Sequence, residues 1–295
     1  MQMDNTRESQ NVEDRRTSSG GGGRGLPSMG TIMMIWPLLK LLLKTKFGWA
    51  IIGLGAFAWF TGFSPLSLVG MSSSSTVTVD KKKDEKEAKF IKKVLASTED
   101  AWKQVLPKYG MRYQEPKMVL YRNGTRSGCG KAKAQMGPFY CPADHKIYLD
   151  LGFFDELARR HNAPGDFAQA YVLAHEVGHH IQNMQGILSK VQRAKQQWRS
   201  EAKQNALQVR VELQADCYAG VWAYHAQKQF GILEKGDIAE ALNAASSIGD
   251  DKLQKEATGY VRPDGFTHGS SKQRTEWFTK GLVSGDLRQC NTFQD

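Results

Sequence analysis

Apolar residues recur at helical spacing in Phe90, Ile91, Val94, Leu95 and Trp102, and the same period returns at about 166–185, 189–206, 208–230, 237–248 and 271–283. These segments predict helices. Two shorter runs, Lys117 to Tyr121 and Lys146 to Leu151, read as strands, with Gly and Pro punctuation between them. The segment Lys146-Ile147-Tyr148-Leu149-Asp150 alternates and is a candidate edge strand for pairing with an extended peptide. Strands early and helices later predict an α+β domain, mainly helical with a small sheet, over residues 84–295.

The N-terminal part follows a different pattern. Residues 1–30 are polar and Gly-rich and cannot bury enough apolar surface to fold, so they are expected to be disordered. The apolar block Ile32–Leu43 is broken by Pro37 and Lys40 and is too short to cross a bilayer. Gly48 to Gly70 carries no charged side chain and is long enough to do so, with Trp49, Trp59 and Phe60 suited to interfacial anchoring. Residues 31–71 are therefore expected to form a juxtamembrane segment and transmembrane anchor, and 72–83 a linker. Lys40, Lys44 and Lys46 before the span favour a cytoplasmic N-terminus with the folded domain on the far side.

The formal net charge of +10 changes little in this picture. Arg7, Arg15, Arg16, Arg24, Lys40, Lys44 and Lys46, then Lys81-Lys82-Lys83, flank the apolar stretch and read as juxtamembrane charge. No RNP-like or zinc-finger spacing is present, so no nucleic-acid partner is expected. The four cysteines, Cys129, Cys141, Cys217 and Cys290, form no C-x-x-C pair, which disfavours a zinc ribbon or a thioredoxin-type site. Cys129 and Cys141 share one Gly-rich stretch and are the favoured disulfide. Four reduced thiols are the alternative.

The candidate chemistry lies in the segment 166–185. Asp166 can cap a helix whose apolar face is Phe167, Ala170, Tyr171, Ala174, Val177 and Ile181, with Gly186 placed to end it. His175 and His179 then share a face one turn apart, as two imidazole ligands of one zinc require. Glu176 is offset and suited to act as general base for an attacking water. The metzincin extension is excluded, because Gln182 and Gln185 stand where Gly and His would be needed. Glu212 and Asp216 share a face of a second helix among Val209, Val211, Leu213, Ala215, Val221 and Trp222, where acids are costly unless paired or metal-bound. Glu212 is the expected third ligand and Asp216 the acceptor that orients a ligand imidazole. Two solvent-facing acids would be the plain alternative. His180 lies on another face and is expected to be structural, and His145, His161 and His225 have no ligand-spaced partners.

His175-Glu176-Val177-Gly178-His179-His180 with Glu212-Leu213-Gln214-Ala215-Asp216-Cys217 resembles the bacterial YpfJ-like family of neutral zinc metallopeptidases. The likeness extends to Arg7-Glu8-Ser9, Asn11 to Arg16, Gly137 to Asp144 and Phe266-Thr267-His268-Gly269. It implies a zincin-like peptidase of gluzincin type, with one Zn2+ on His175, His179 and Glu212, Glu176 as catalytic base, and a peptide or protein substrate. With the predicted span, it implies a single-pass protein of the bacterial inner membrane with a periplasmic catalytic domain. The pattern also resembles HtpX-like and CAAX-prenyl proteases, which carry a later Thr-His-Pro segment followed by Arg. Thr267-His268-Gly269 and Arg274 stand in similar places, which suggests His268 as a transition-state donor. A zinc-holding assembly or binding protein without catalysis is the alternative function.

Overall fold

In the computed structural model, residues 1–4, 6–17, 81–133 and 137–294 are described, and they belong to one unit. Helix α1 (Lys81–Val105) buries Ile91, Val94, Leu95 and Trp102 as the spacing requires, while Lys82, Lys86 and Lys89 stay exposed. It begins at Lys81, inside the segment expected to be linker.

A four-stranded sheet follows the order β1 (Val12–Asp14), β2 (Lys117–Tyr121), β6 (Lys146–Asp150), β5 (Phe139–Cys141). Strands β1, β2 and β6 run parallel, and β5 is antiparallel to β6. A separate hairpin pairs β3 (Gly124–Ser127) with β4 (Gly130–Lys133). Met118, Leu120, Ile147 and Leu149 face the main core, whereas Val119, Tyr121 and Tyr148 join Cys141 and Ala132 in a smaller cluster on the other face. Strand β6 is thus covered on both faces and paired on both sides, so it is not the edge strand its alternation suggested. The edge is β5.

The expected disorder of residues 1–30 is corrected over 1–4 and 6–17. Val12 to Asp14 pair with Met118 to Leu120, and Met3 is buried in the main core. Polar residues order this segment without a large apolar share. Ser9 donates to Glu99 at 2.5 Å, Arg7 to the same carboxylate at 2.7 Å, and Arg16 to Asp84 at 2.6 Å. Charge-assisted bonds to buried acids and a backbone ladder replace the apolar burial that composition found missing.

The helices are α2 (Gly152–Arg160), α3 (Asp166–Met184), α4 (Ile187–Gln197), α5 (Glu201–Phe230), α6 (Asp237–Ser247), α7 (Asp250–Thr258) and α8 (Ser271–Ser284). The break expected near residue 207 falls at 198–200, where Trp198 is extended and Ser200 caps α5 by accepting from the Lys203 N–H. Asp166 does not cap α3. The preceding residue is Gly165 at φ 122°, and Glu240 of α6 accepts from the Phe167 N–H at 3.1 Å.

Helices α5 and α8 meet backbone to backbone. A Cβ on Gly281 would lie 2.0 Å from the Cys217 carbonyl oxygen, and one on Gly220 would lie 2.1 Å from that of Phe278. Two disulfides, Cys129–Cys141 and Cys217–Cys290, are present, the first as expected and the second tying the C-terminal segment to α5. Gly281→Ala should force the two helices apart and destabilise the fold by about 3 kcal/mol, measured by urea unfolding. A change within about 0.5 kcal/mol would contradict this contact.

The membrane localisation expected from the sequence is corrected. Among the described residues, no helix is long and apolar enough to cross a membrane. The candidate span, 48–70, lies outside the described residues. The longest described helices, α1 and α5, carry charged side chains along their length, which a bilayer interior would not accept.

Candidate metal centre and active site

Helix α3 crosses α5 at Gly178 and Ala215. A Cβ on Gly178 would stand 3.0 Å from the Ala215 carbonyl oxygen and 3.1 Å from its Cα, so glycine allows the close approach. The crossing brings the two sequence-separated motifs together. His175, His179 and Glu212 place their donor atoms within 4.8 Å of one another. Glu212 Oε2 lies 3.2 Å from His175 Nε2 and 3.2 Å from His179 Nε2.

Each imidazole is held through its other nitrogen. His175 Nδ1 donates to Asp216 Oδ1 at 2.7 Å, and His179 Nδ1 to Gln182 Oε1 at 2.9 Å. The Gln182 amide is itself fixed, because its Nε2 donates to the Val211 carbonyl at 2.8 Å and to Gln214 at 3.0 Å. Its oxygen must therefore face His179, which leaves the Nε2 atoms of both histidines turned toward Glu212. Glu212 also accepts from Gln208 at 2.6 Å through its other oxygen.

Asp216 is wholly buried and accepts from three residues. Besides His175, the Tyr171 hydroxyl donates to it at 2.5 Å, and Arg274 of α8 donates through Nε at 2.9 Å and a terminal nitrogen at 3.0 Å. Burial opposes its charge, yet Arg274 and His175 hold it well below the usual carboxylate range. Burial likewise opposes the charge of Glu212, which His179 and His175 keep ionised. Burial disfavours the imidazolium of His175, but Asp216 and then Glu212 overcome it and push the group up to about 10. His179 is also raised, against burial, by Glu212.

These residues fit a zinc ion. Donors on a tetrahedron at ~2.0–2.1 Å from a metal are about 3.3 Å apart, close to the observed separations to Glu212. With Arg274 committed to Asp216, a divalent cation bound here would take the place of the imidazole protons in balancing the Glu212 carboxylate.

Glu176 stands outside the donor group, on the wall of a cavity of about 240 Å³ that His175, Tyr171, His268 and Arg274 also line. A second cavity, about 580 Å³, lies on the His179 side. Strand β5 and its flanks border both. Gly137 and Pro138, just before β5, line the first cavity, and Tyr140, Pro142 and Ala143 line the second. His180 holds that strand to α3: its Nε2 donates to the Gln114 carbonyl at 2.6 Å and its Nδ1 accepts from the Tyr140 hydroxyl at 3.2 Å. Burial pulls it down to about 4, so it is neutral.

His268 reaches the first cavity on a loop fixed by Asp250, one oxygen of which accepts from the backbone N–H of Thr267, His268 and Gly269 at 2.7, 2.5 and 2.9 Å. Gly269 has φ 97°. Proline could neither adopt that angle nor donate that bond, so this loop differs locally from a Thr-His-Pro segment.

Tyr171, Gln182 and Gly178 were not assigned roles from sequence. Tyr171 was read as apolar face and Gln182 only as the absence of a metzincin residue. Spacing on α3 alone does not reveal what α5 and α8 present to it.

The chain matches the family described as "Putative neutral zinc metallopeptidase" over residues 1–293. It is 50% identical over 299 residues to "Uncharacterized protein YpfJ" of Escherichia coli (strain K12), covering 99% of each chain. It is 43% identical over 207 residues to "Uncharacterized protein Rv2575" of Mycobacterium tuberculosis (strain ATCC 25618 / H37Rv), covering 67% of each chain. No solved structure matches it. With a buried His-His-Glu cluster at the crossing of two helices and a family match across nearly its whole length, the chain belongs to the neutral zinc metallopeptidase family.

Proposed function

We propose that the protein hydrolyses peptide bonds in peptide or protein substrates, using one zinc ion held by His175, His179 and Glu212. The observation that carries this reading is the convergence of both Nε2 atoms on Glu212 Oε2, 3.2 Å from each, with Glu176 on the adjoining cavity wall. Bound there, zinc would supply a Lewis acid for the scissile carbonyl and the attacking water. Glu176 accepts a proton from that water on a carboxylate oxygen and returns it to the leaving amine nitrogen. Asp216 keeps the proton of His175 on Nδ1 and is itself balanced by Arg274. His268 donates a hydrogen bond to the developing oxyanion, a role supported by its place on the wall of the cavity that Glu176 also lines and worth ~2–4 kcal/mol in comparable sites.

The substrate main chain lies along β5, whose outer side pairs with no other strand among the described residues. Main-chain pairing of this kind gives affinity with little sequence demand. Purified protein carrying one zinc should cleave unfolded protein substrates, lose that activity to a chelator, and regain it with added zinc. Cleavage that survives complete metal removal would refute the assignment.

Zinc binding should also displace protons, because His175 in the metal-free protein stays protonated up to about 10 and His179 is raised as well. The sign follows directly: protons compete more at low pH. The zinc association constant should rise about tenfold per pH unit for each proton displaced between about pH 6 and 8. Calorimetry in buffers of different ionisation enthalpy counts those protons. A constant independent of pH would speak against this ligand set.

A further inference from the structure

Helix α5 carries Gln208 one turn before Glu212, on the same face. Gln208 Nε2 donates to Glu212 Oε1 at 2.6 Å, the oxygen that the two imidazoles do not share. From α4, Lys195 donates through Nζ to Gln208 Oε1 at 2.5 Å. These three groups form a chain of hydrogen bonds. It starts at an ammonium on one helix and ends on a carboxylate of the His-His-Glu cluster on the next.

The chain can run in one sense only. An ammonium carries donors and no acceptor, so the Gln208 oxygen must face Lys195 and its NH2 must face Glu212. Turned over, the amide would set its NH2 against the ammonium and its oxygen against the carboxylate. Lys195 thus fixes the amide, and the amide holds Glu212 Oε1. Oε2 alone is left at the point on which His175 Nε2 and His179 Nε2 converge, 3.2 Å from each. A catalytic zinc takes three protein donors and keeps one position open. A carboxylate free to turn would have to be ordered whenever the ion binds, and could offer it the wrong oxygen or both. Neither Lys195 nor Gln208 belongs to the donor group itself.

We propose that Gln208 and Lys195 are positioning residues for the zinc centre: Gln208 reserves one oxygen of Glu212, and Lys195 sets the sense of Gln208. This rests on the ligand set proposed above. Gln208 also lines the cavity on the His179 side, where a substrate would touch it, so lost activity alone would not show positioning. The test therefore reads the metal, on the full chain and without substrate. Gln208→Met keeps the length of the side chain and removes its amide. Zinc affinity should fall about 10–100-fold, the effect of removing an orienting partner. The visible absorption of the cobalt-substituted protein should shift as well, because the carboxylate meets the ion in a different geometry.

Lys195→Met leaves the Gln208 amide in place but free to turn, and should show a smaller loss of affinity that Lys195→Arg restores. The double variant separates a relay from two independent effects. In a relay, Lys195→Met costs nothing further once Gln208→Met has been made. Additive losses, or an unchanged zinc affinity and cobalt spectrum in Gln208→Met, would overturn the proposal. If Gln208→Met fails to fold, equal zinc affinities in wild type, Lys195→Met and Lys195→Arg would do the same. Peptide hydrolysis is judged separately: wild type that holds zinc but cleaves nothing would remove the peptidase reading and leave the positioning intact. Zinc retained by Glu212→Ala would sink both.

Discussion

Glu176→Gln is expected to bind one zinc per chain and to lower peptide hydrolysis by about 10²–10⁴-fold, with the loss in kcat rather than KM. The reasoning is geometric. Glu176 lies outside the group of donor atoms that converge on Glu212, so its charge is not needed to complete the ligand set. It is nearly buried, at 7% exposure, and faces the cavity where the reacting atoms would sit. Glutamine has the same shape and leaves packing on α3 undisturbed, but a neutral amide cannot take a proton from water. Metal analysis and steady-state kinetics on the same preparation separate the two effects. Full activity in this variant would remove the proposed mechanism, and loss of zinc would make Glu176 part of the ligand set.

Glu212→Ala is expected to abolish stoichiometric zinc and, with it, all cleavage. The carboxylate is the point on which both imidazoles converge, and two histidines one turn apart do not make a closed site without it. Its loss should exceed the 10–100-fold reduction in affinity typical of removing an orienting partner, the effect expected of Asp216→Asn. Asp216→Asn carries a second consequence, because it leaves Arg274 buried at 3% exposure without its counter-charge. Breaking such a pair from one side costs about 3–5 kcal/mol, so the variant should also unfold at lower urea. Elemental analysis of dialysed protein is sufficient for the ligand question. One equivalent of zinc retained by Glu212→Ala would show that the metal sits elsewhere.

Much of the centre was legible because its parts are local. The four-residue spacing of His175 and His179, and of Glu212 and Asp216, depends only on helix geometry, and acids among apolar neighbours signal that something must balance them. The helix carrying the histidines appears within a residue or two of its expected bounds. The sheet edge was misjudged for an equally physical reason. Alternation along 146–150 cannot tell a strand covered by a second small cluster from one facing water, and the three-residue β5 is too short to show a period. The polar start of the chain was misread because ion pairs with Glu99 and Asp84 are long-range and leave no trace in composition.

Sequence by itself determined the kind of chemistry: two imidazoles and a base on one helix, two acids on another, and the family that pairs them. Helix periodicity and side-chain chemistry are properties of a few consecutive residues, so they survive without a fold. Only the tertiary structure decided which nitrogen of each histidine is free, that Gln182 orients His179, that Arg274 balances Asp216, and that β5 borders the cleft. Those outcomes depend on how closely α3, α5 and α8 approach, and that is set by Gly178, Gly220 and Gly281, where backbone meets backbone across the chain.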